Sequence, residues 1–361
     1  MHRDLSASTP VIAATGTGVP IHVYSQEQLI ALVRELLPEL EVSSAALERL
    51  FVAVGVEQRH LALPAEAYRE LDGLSGRNDA WIEVAKQLGE RVVSAALTEA
   101  ELEPSAVALL VTTTVTGIAV PSLDARLMNA IEFAPTLKRV PLFGLGCVGG
   151  AAGIARVADY LRGYPEQCAM LLSVELCSLT LQRDDASVAN LISSGLFGDG
   201  AAAVLMVGAA HPLAARAKPA VLDSCAAFFR DSERMMGWDV IDTGFKVVLD
   251  PKVPELVERE LPRLIDPFLS AHGLARDDID AWIVHPGGPK VIRAVQRAFG
   301  LDDAQVEATR EGLAQFGNLS SASVLFLLDE FRRRRRPQPG SHGLLFALGP
   351  AFCAEVVLLR W

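Results

Sequence analysis

Gly146-Cys147-Val148-Gly149-Gly150-Ala151-Ala152 and Gly317-Asn318-Leu319-Ser320-Ser321-Ala322-Ser323 share one design: a glycine, a polar side chain, then a helical first turn of small residues. Leu196-Phe197-Gly198-Asp199-Gly200-Ala201-Ala202-Ala203-Val204-Leu205 likewise parallels Ala347-Leu348-Gly349-Pro350-Ala351-Phe352-Cys353-Ala354-Glu355-Val356. Between these segments lie apolar runs without polar alternation, at 106–114, 169–174 and 201–207, which read as strands covered on both faces. Helical patterns at 122–131 and 148–162 alternate with them. The second half repeats the order: a strand at 281–284, a helix at 289–299, a helix opening near Asn318, and strands at 344–348 and 353–359. This alternation predicts layered α/β architecture, and its repetition predicts a duplicated domain with halves at 1–220 and 221–361. The small residues let two helices approach closely, so that Cys147 and Asn318 face each other across a pseudo-twofold axis.

Local signals fill in the rest. Ser25-Gln26-Glu27-Gln28 is a capping box for an amphipathic helix ended by Pro38. A further helix is expected after Asn78, with Ile82, Ala85, Val92 and Ala96 on one face, and a kinked one over 254–272, where Pro262 and Pro267 interrupt. Gly198-Asp199-Gly200 reads as a turn.

The chain has 361 residues, 50% hydrophobic and 21% charged, enough for a large core. Its 33 basic and 44 acidic residues give a net charge of -11, which repels nucleic acid and anionic lipid. The only basic run, Arg332 to Arg336, reads as cations at a helix C-terminus. No apolar stretch is long enough to span a membrane, and Met1-His2-Arg3-Asp4-Leu5 begins no signal peptide, so a cytoplasmic protein is expected. Five cysteines without metal-ligand spacing speak against a disulfide framework and against zinc.

Cys147 is the candidate nucleophile, because a helix N-terminus stabilises a thiolate and lowers the thiol pKa. Cys168, Cys177, Cys225 and Cys353 sit in strand-like runs and read as core. His285, in Val284-His285-Pro286-Gly287-Gly288-Pro289, projects from the carboxyl end of a buried strand, where sites of α/β sheets lie. Asn318 alone reads as an N-cap; its mirror relation to Cys147 promotes it to the site. The order Cys, His, Asn also fits papain-like proteases, but the sequence around Cys147 does not.

Together, Gly144-Leu145-Gly146-Cys147 with its Gly/Ala-rich helix, the segment 196–203, the segment 284–289 and the segment 317–323 resemble the type III polyketide synthases, chalcone synthase-like members of the thiolase superfamily. The resemblance implies a five-layered αβαβα thiolase fold, a homodimer, an acyl-CoA starter with malonyl-CoA as extender, and a catalytic triad of Cys147, His285 and Asn318. It implies no metal and no cofactor, CoA thioesters being substrates. It places Phe197 and Phe245 as aromatic gates between a CoA tunnel and the cavity, and Val115, Thr116, Cys177, Thr180 and Ser320 around that cavity. Arg59, Lys290, Gly287 and Gly288 fall near its CoA entrance.

Val115 and Cys177 replace threonines of the plant enzymes, and Ala347-Leu348-Gly349-Pro350-Ala351 replaces a Gly-Phe-Gly-Pro-Gly loop. Ser173-Val174-Glu175-Leu176-Cys177-Ser178 looks more like bacterial alkylpyrone or alkylresorcinol synthases. The expected reaction is therefore iterative decarboxylative condensation of malonyl-CoA onto a medium- or long-chain acyl starter. A ketoacyl-ACP synthase III-like condensing enzyme and a catalytically silent acyl-binding scaffold are the alternatives.

Overall fold

The computed structural model describes residues 9–37 and 42–361, so the expectations for Met1 to Leu5 and for Pro38 fall outside the described residues. In chain order the strands are β1 (Val11–Gly18), β2 (His22–Ser25), β3 (Gln58–Leu61), β4 (Val107–Thr114), β5 (Lys138–Phe143), β6 (Cys168–Leu176), β7 (Asp199–Val207), β8 (Ala220–Phe228), β9 (Met236–Ile241), β10 (Gly244–Leu249), β11 (Ile279–Val284), β12 (His342–Gly349) and β13 (Cys353–Arg360). The helices are α1 (Gln26–Leu36), α2 (Ser44–Ala53), α3 (Gly73–Ala100), α4 (Leu123–Leu127), α5 (Gly149–Gly163), α6 (Val188–Leu196), α7 (Val253–Ala271), α8 (Pro289–Phe299), α9 (Glu307–Phe316) and α10 (Ser323–Glu330).

Nine strands form one sheet in the order β11-β12-β13-β8-β1-β7-β6-β4-β5. Its two sides meet at β1 and β8 through the single pair Val11 and Ala220. On one side β4 runs parallel to β6, β6 antiparallel to β7, and β7 antiparallel to β1. On the other, β11 runs parallel to β12, β12 antiparallel to β13, and β13 antiparallel to β8. The same succession twice is the expected duplication, with β5 an added edge strand parallel to β4.

Helices complete five layers. α3 covers β1, β6 and β7 from outside. α5 lies between the half-sheets, touching β4 and β6 as well as β12 and β13, and α10 bridges them in the same way through β1, β7, β11 and β12. α7 and α8 close the far side, where Val257, Leu261 and Val295 share a core with Trp282, Leu344 and Val356. Because β6 and β7 are buried at every position, they show no alternation, as the sequence reading required.

The middle layer depends on missing side chains. A Cβ on Gly149 would sit 2.5 Å from Thr113 Oγ1, and one on Gly150 only 2.2 Å from the Ser321 carbonyl oxygen. Neither leaves room for an alanine.

The capping box at Ser25 is present as expected. Other local readings shift. α3 starts at Gly73 with Asp72 as its cap, ahead of Asn78, and α4 covers only Leu123–Leu127 of the expected 122–131. α7 is one continuous helix, Val253–Ala271, with Pro262 and Pro267 inside it. Gly198-Asp199-Gly200 is no turn, since β7 starts at Asp199. The arginine run lies at the helix C-terminus as expected, in a π-turn, Phe331–Arg335, and its first member turns inward: Arg332 donates to Thr15 Oγ1 (2.6 Å) and the Ala13 carbonyl (2.9 Å), while the exposed Arg335 spans Glu307 and Glu311 (both 2.6 Å). These bonds tie the end of α10 to β1 and α9.

Gly150→Ala should therefore cost about 1–3 kcal/mol by overpacking or prevent folding outright. Gly163→Ala, at the far end of the same helix with nothing within 4 Å of the added Cβ, should be neutral or slightly stabilising. Urea unfolding of both variants checks this, and equal effects would refute the close-approach argument.

Candidate active site

Cys147 occupies a single 3₁₀ turn, Gly146–Val148, that feeds into α5. Gly146 is held at φ +54, and the Pro350 ring fills the space a side chain would need, 2.5 Å from an ideal Cβ. The matching turn Ser320–Ala322 feeds into α10. The two turns pack together, and Cys147 Sγ lies 3.7 Å from Ser320 Oγ.

Asn318 is fixed at both ends. Its N–H donates to the Leu196 carbonyl (2.8 Å), and its own carbonyl accepts from Gly198 N–H (3.0 Å). Its side-chain Oδ1 accepts from Ser320 N–H (2.8 Å) and Ser323 Oγ (3.4 Å). The first of these bonds steadies Ser320 at φ +50, a conformation few non-glycine residues adopt. With Oδ1 engaged, the Nδ2 hydrogens are the donors this side chain has left.

His285 follows β11 and donates its N–H to the Phe346 carbonyl of β12 (3.0 Å). The end of β12 also abuts the cysteine turn, where a Cβ on Gly349 would meet the Leu145 carbonyl at 2.9 Å. One strand thus places the imidazole and the thiol at the same end of the sheet. His285 Nδ1 is buried with no partner among the described residues.

Burial governs both groups. It pushes the imidazole down to about 3 and the thiol up to about 12, with Glu175 and Cys353 adding to the rise of the thiol and Ser320 opposing it. The expectation that the helix N-terminus would lower the thiol pKa is corrected here, because desolvation of a thiolate outweighs the favourable dipole.

Glu175 is the residue that sequence reasoning passed over. It is fully buried in β6, and its carboxyl accepts from Val115 N–H (3.1 Å), Thr116 Oγ1 (2.8 Å), Thr114 Oγ1 (3.3 Å) and Ser321 Oγ. Burial raises its pKa while these donors lower it. Four donors and no acceptor suit the ionised form. A lone carboxylate in an otherwise apolar strand was the available signal, since such a group demands partners.

The remaining candidates separate. Cys177, Thr180, Phe197 and Arg59 line one cavity, together with Trp238 of β9, Val247 of β10 and Leu29, Leu32 and Val33 of α1. Phe197 faces Trp238 at 6.1 Å between ring centres. Phe245 is buried, lies against Phe143 at 6.3 Å, and its carbonyl accepts from Gln182 Nε2 (3.2 Å). Val115 and Thr116 belong to the Glu175 network. Lys290 is exposed in the first turn of α8, next to Gly287 and to Gly288, the latter at φ +119. Arg59 does not open to solvent beside it: it is 5% exposed, and its Nη1 donates to the Phe197 carbonyl. Among the described residues no group of three or more His, Cys, Asp or Glu side chains is placed to hold a metal ion.

Two substitutions test the electrostatics. Glu175→Gln removes a negative charge that disfavours the thiolate, so the pH midpoint of Cys147 alkylation by iodoacetamide should fall. Ser320→Ala removes a hydrogen bond that favours the thiolate, so the midpoint should rise. Shifts in the same direction would overturn this account.

The N-terminal domain of chalcone and stilbene synthases matches residues 2–211, and the C-terminal domain of the same family matches residues 221–361. The chain is 48% identical over 360 residues to a 1,3,6,8-tetrahydroxynaphthalene synthase from Streptomyces peucetius subsp. caesius, covering 100% of this chain and 95% of that one. Among solved structures it superposes on PKS-I from the brown alga Ectocarpus siliculosus with a TM-score of 0.92 at 27% identity, over 99% of this chain and 100% of that one. The 1,3,6,8-tetrahydroxynaphthalene synthase of Streptomyces coelicolor A3(2), a bacterial type III polyketide synthase, gives 0.90 at 31% identity, over 97% and 99%. Matched along both halves in sequence and in fold, with a cysteine turn and an asparagine turn at the centre, the chain belongs to the chalcone and stilbene synthase family and is a type III polyketide synthase.

Proposed function

We propose that Cys147, His285 and Asn318 carry out decarboxylative condensation in this enzyme. Proton transfer from Cys147 to His285 makes an ion pair without net charge, so the burial that keeps each group neutral alone opposes the pair less. The thiolate attacks an acyl-CoA carbonyl, CoA leaves as the thiol, and the starter is held as a Cys147 thioester. Malonyl-CoA then loses carbon dioxide; the electron pair of the broken C–C bond passes into an enolate, whose oxygen accepts from the imidazole N–H and from Asn318 Nδ2. The enolate carbon attacks the thioester and breaks its C–S bond, lengthening the chain by two carbons. The observation that carries this reading is the Asn318 amide, whose Oδ1 is engaged within its own turn. An enolate needs donors without added negative charge. No metal or redox cofactor enters these steps, in which CoA thioesters are the substrates.

We propose further that malonyl-CoA serves as starter as well as extender, and that the product is a compact polyhydroxylated arene. Support comes from the product in the name of the 48% identical relative, whose alternating oxygens are the mark of joined two-carbon units and which carries no alkyl chain. A fatty acyl starter is the second reading, favoured by the apolar wall that Leu29, Leu32, Val33, Leu36 and Leu61 give the cavity beyond Cys177. A homodimer belongs to the same proposal, supported by the edge strand β5, where Val140 and Phe143 are exposed near Ile118 and Val120 on the loop after β4.

Cys147→Gln should retain malonyl-CoA decarboxylation and lose condensation, and adding Asn318→Asp should lower carbon dioxide release by about 100-fold. Unchanged release in the double variant would leave Asn318 a capping role only. Mass spectrometry of products from malonyl-CoA alone, and with hexanoyl- or lauroyl-CoA added, decides the starter. A polyhydroxylated arene from malonyl-CoA alone supports the first reading. Alkylated products that shorten in Cys177→Phe, where the ring blocks the cavity, would replace it with the second.

A further inference from the structure

The active-site account leaves Arg59 and Asp199 without a task, although both are buried and neither is hydrophobic. Arg59 sits in β3, and its Nη1 donates to the Phe197 carbonyl, while its Nε is buried without a partner. The stem of the same side chain runs under the asparagine turn: an ideal Cβ on Gly317 would lie 3.5 Å from Arg59 Cδ. Phe197 and Asn318 are joined as a parallel bridge, through Gly198 N–H to the Asn318 carbonyl (3.0 Å) and Asn318 N–H to the Leu196 carbonyl (2.8 Å). One arginine therefore grips one side of that bridge with its guanidinium and packs its stem beside the other.

Asp199, two positions beyond Phe197, ties together the segments around Arg59 without forming an ion pair with it. Its carboxylate accepts from Ala62 N–H (2.6 Å), Ser178 N–H (2.7 Å) and Ser178 Oγ, and Ser178 Oγ in turn meets the Tyr68 hydroxyl. Ala62 lies just past the end of β3, and Ser178 directly follows the cavity residue Cys177. Burial lowers the pKa of Arg59 only to about 10, with Asp199 opposing the fall, so the guanidinium stays charged at neutral pH. A buried cation is expensive to hold unless its position matters or its partners are good, and here one of its nitrogens has none.

We propose that Arg59 is a positioning residue for decarboxylation, setting where the Asn318 amide points by clamping the Phe197–Asn318 bridge, with Asp199 holding the end of β3 that carries it. The proposal rests on the enolate-stabilising role given to Asn318 above. It separates acylation at Cys147 from decarboxylation beside Asn318. The Asn318 amide answers to Arg59, whereas the Cys147 turn is fixed by Pro350, Ser320 and the start of α5.

The test measures carbon dioxide release from malonyl-CoA and, separately, alkylation of Cys147 by iodoacetamide, in wild type, Arg59→Gln, Arg59→Lys, Asp199→Asn and Asn318→Asp. Arg59→Gln should lower kcat for decarboxylation tenfold or more, with KM and the alkylation rate within about twofold of wild type. Arg59→Lys, which keeps the charge and one donor, should recover part of that loss, and Asp199→Asn should show the same split in smaller measure. If Arg59→Gln does not accumulate as folded protein, the ratio of decarboxylation to alkylation in Arg59→Lys decides: below half of wild type supports the proposal, and an unchanged ratio overturns it. Parallel loss of both activities marks Arg59 as merely structural. Full decarboxylation in Arg59→Gln with Asn318→Asp impaired removes the proposal alone. Full decarboxylation in Asn318→Asp removes the role of Asn318 itself and the proposal with it.

Discussion

The contact between the first turns of α5 and α10 is the constraint on which the rest of the structure hangs. Gly150 lies so near the Ser321 carbonyl that no side chain fits between them, and Gly149 stands equally close to Thr113. That approach lets one helical layer serve two half-sheets, and it brings the turn carrying Cys147 against the turn that follows Asn318. Had either helix begun with a larger residue, the half-sheets would be held apart and the two turns would no longer pack together. The stability of the middle layer and the assembly of the site are thus one steric fact.

Around that contact the chain surrounds reactive groups with buried polar ones. Glu175 gathers hydroxyl and amide donors from the end of β4 and from the α10 turn, and Asp199 gathers them from the segments after β3 and β6. Each carboxylate is satisfied by donors from more than one segment, so each also fixes distances between segments. Cys147 and His285 have no such satisfaction. His285 Nδ1 is an orphan, and the thiol meets a single serine hydroxyl. Both are groups to which the proposed reaction assigns a chemical role, and Glu175 and Asp199 are each hydrogen-bonded to more than one segment.

The arginine run after α10 illustrates the same economy at the surface. Arg332 and Arg333 reach across to Glu99 of α3 and to the backbone of β1, so a segment that looks from its charge like a solvated stripe links the outer helix to the central one. Arg332 is mostly buried in doing so, which a stripe of like charges at a helix end does not require.

The layered, duplicated architecture is legible in the chain alone, because β6 and β7 are buried on both faces and so are apolar apart from Ser173, Glu175 and Asp199, and because small residues recur at both helix starts. The sequence also marks Cys147, His285 and Asn318, each displayed by glycines at the end of an element. It does not reveal β1, β2, β3, β5, β8 or the β9–β10 hairpin. The edge strand β5 is mostly exposed, β8 is only partly buried, and a strand that needs neither full burial nor alternation leaves little periodic trace. What surrounds Cys147, His285 and Asn318 is set by the folded arrangement. The partners of Glu175 lie on β4 and before α10, far apart in the chain, and Trp238 meets Phe197 from a hairpin that no local pattern links to it. Arg59 is the clearest case. A basic residue beside a glutamine and a histidine reads as surface, and nothing near it in sequence reveals that Phe197 and Gly317 close over it. Local propensity acts over a few residues, whereas the desolvation and packing that assign a charged side chain its task are set by whichever distant segments the fold lays against it.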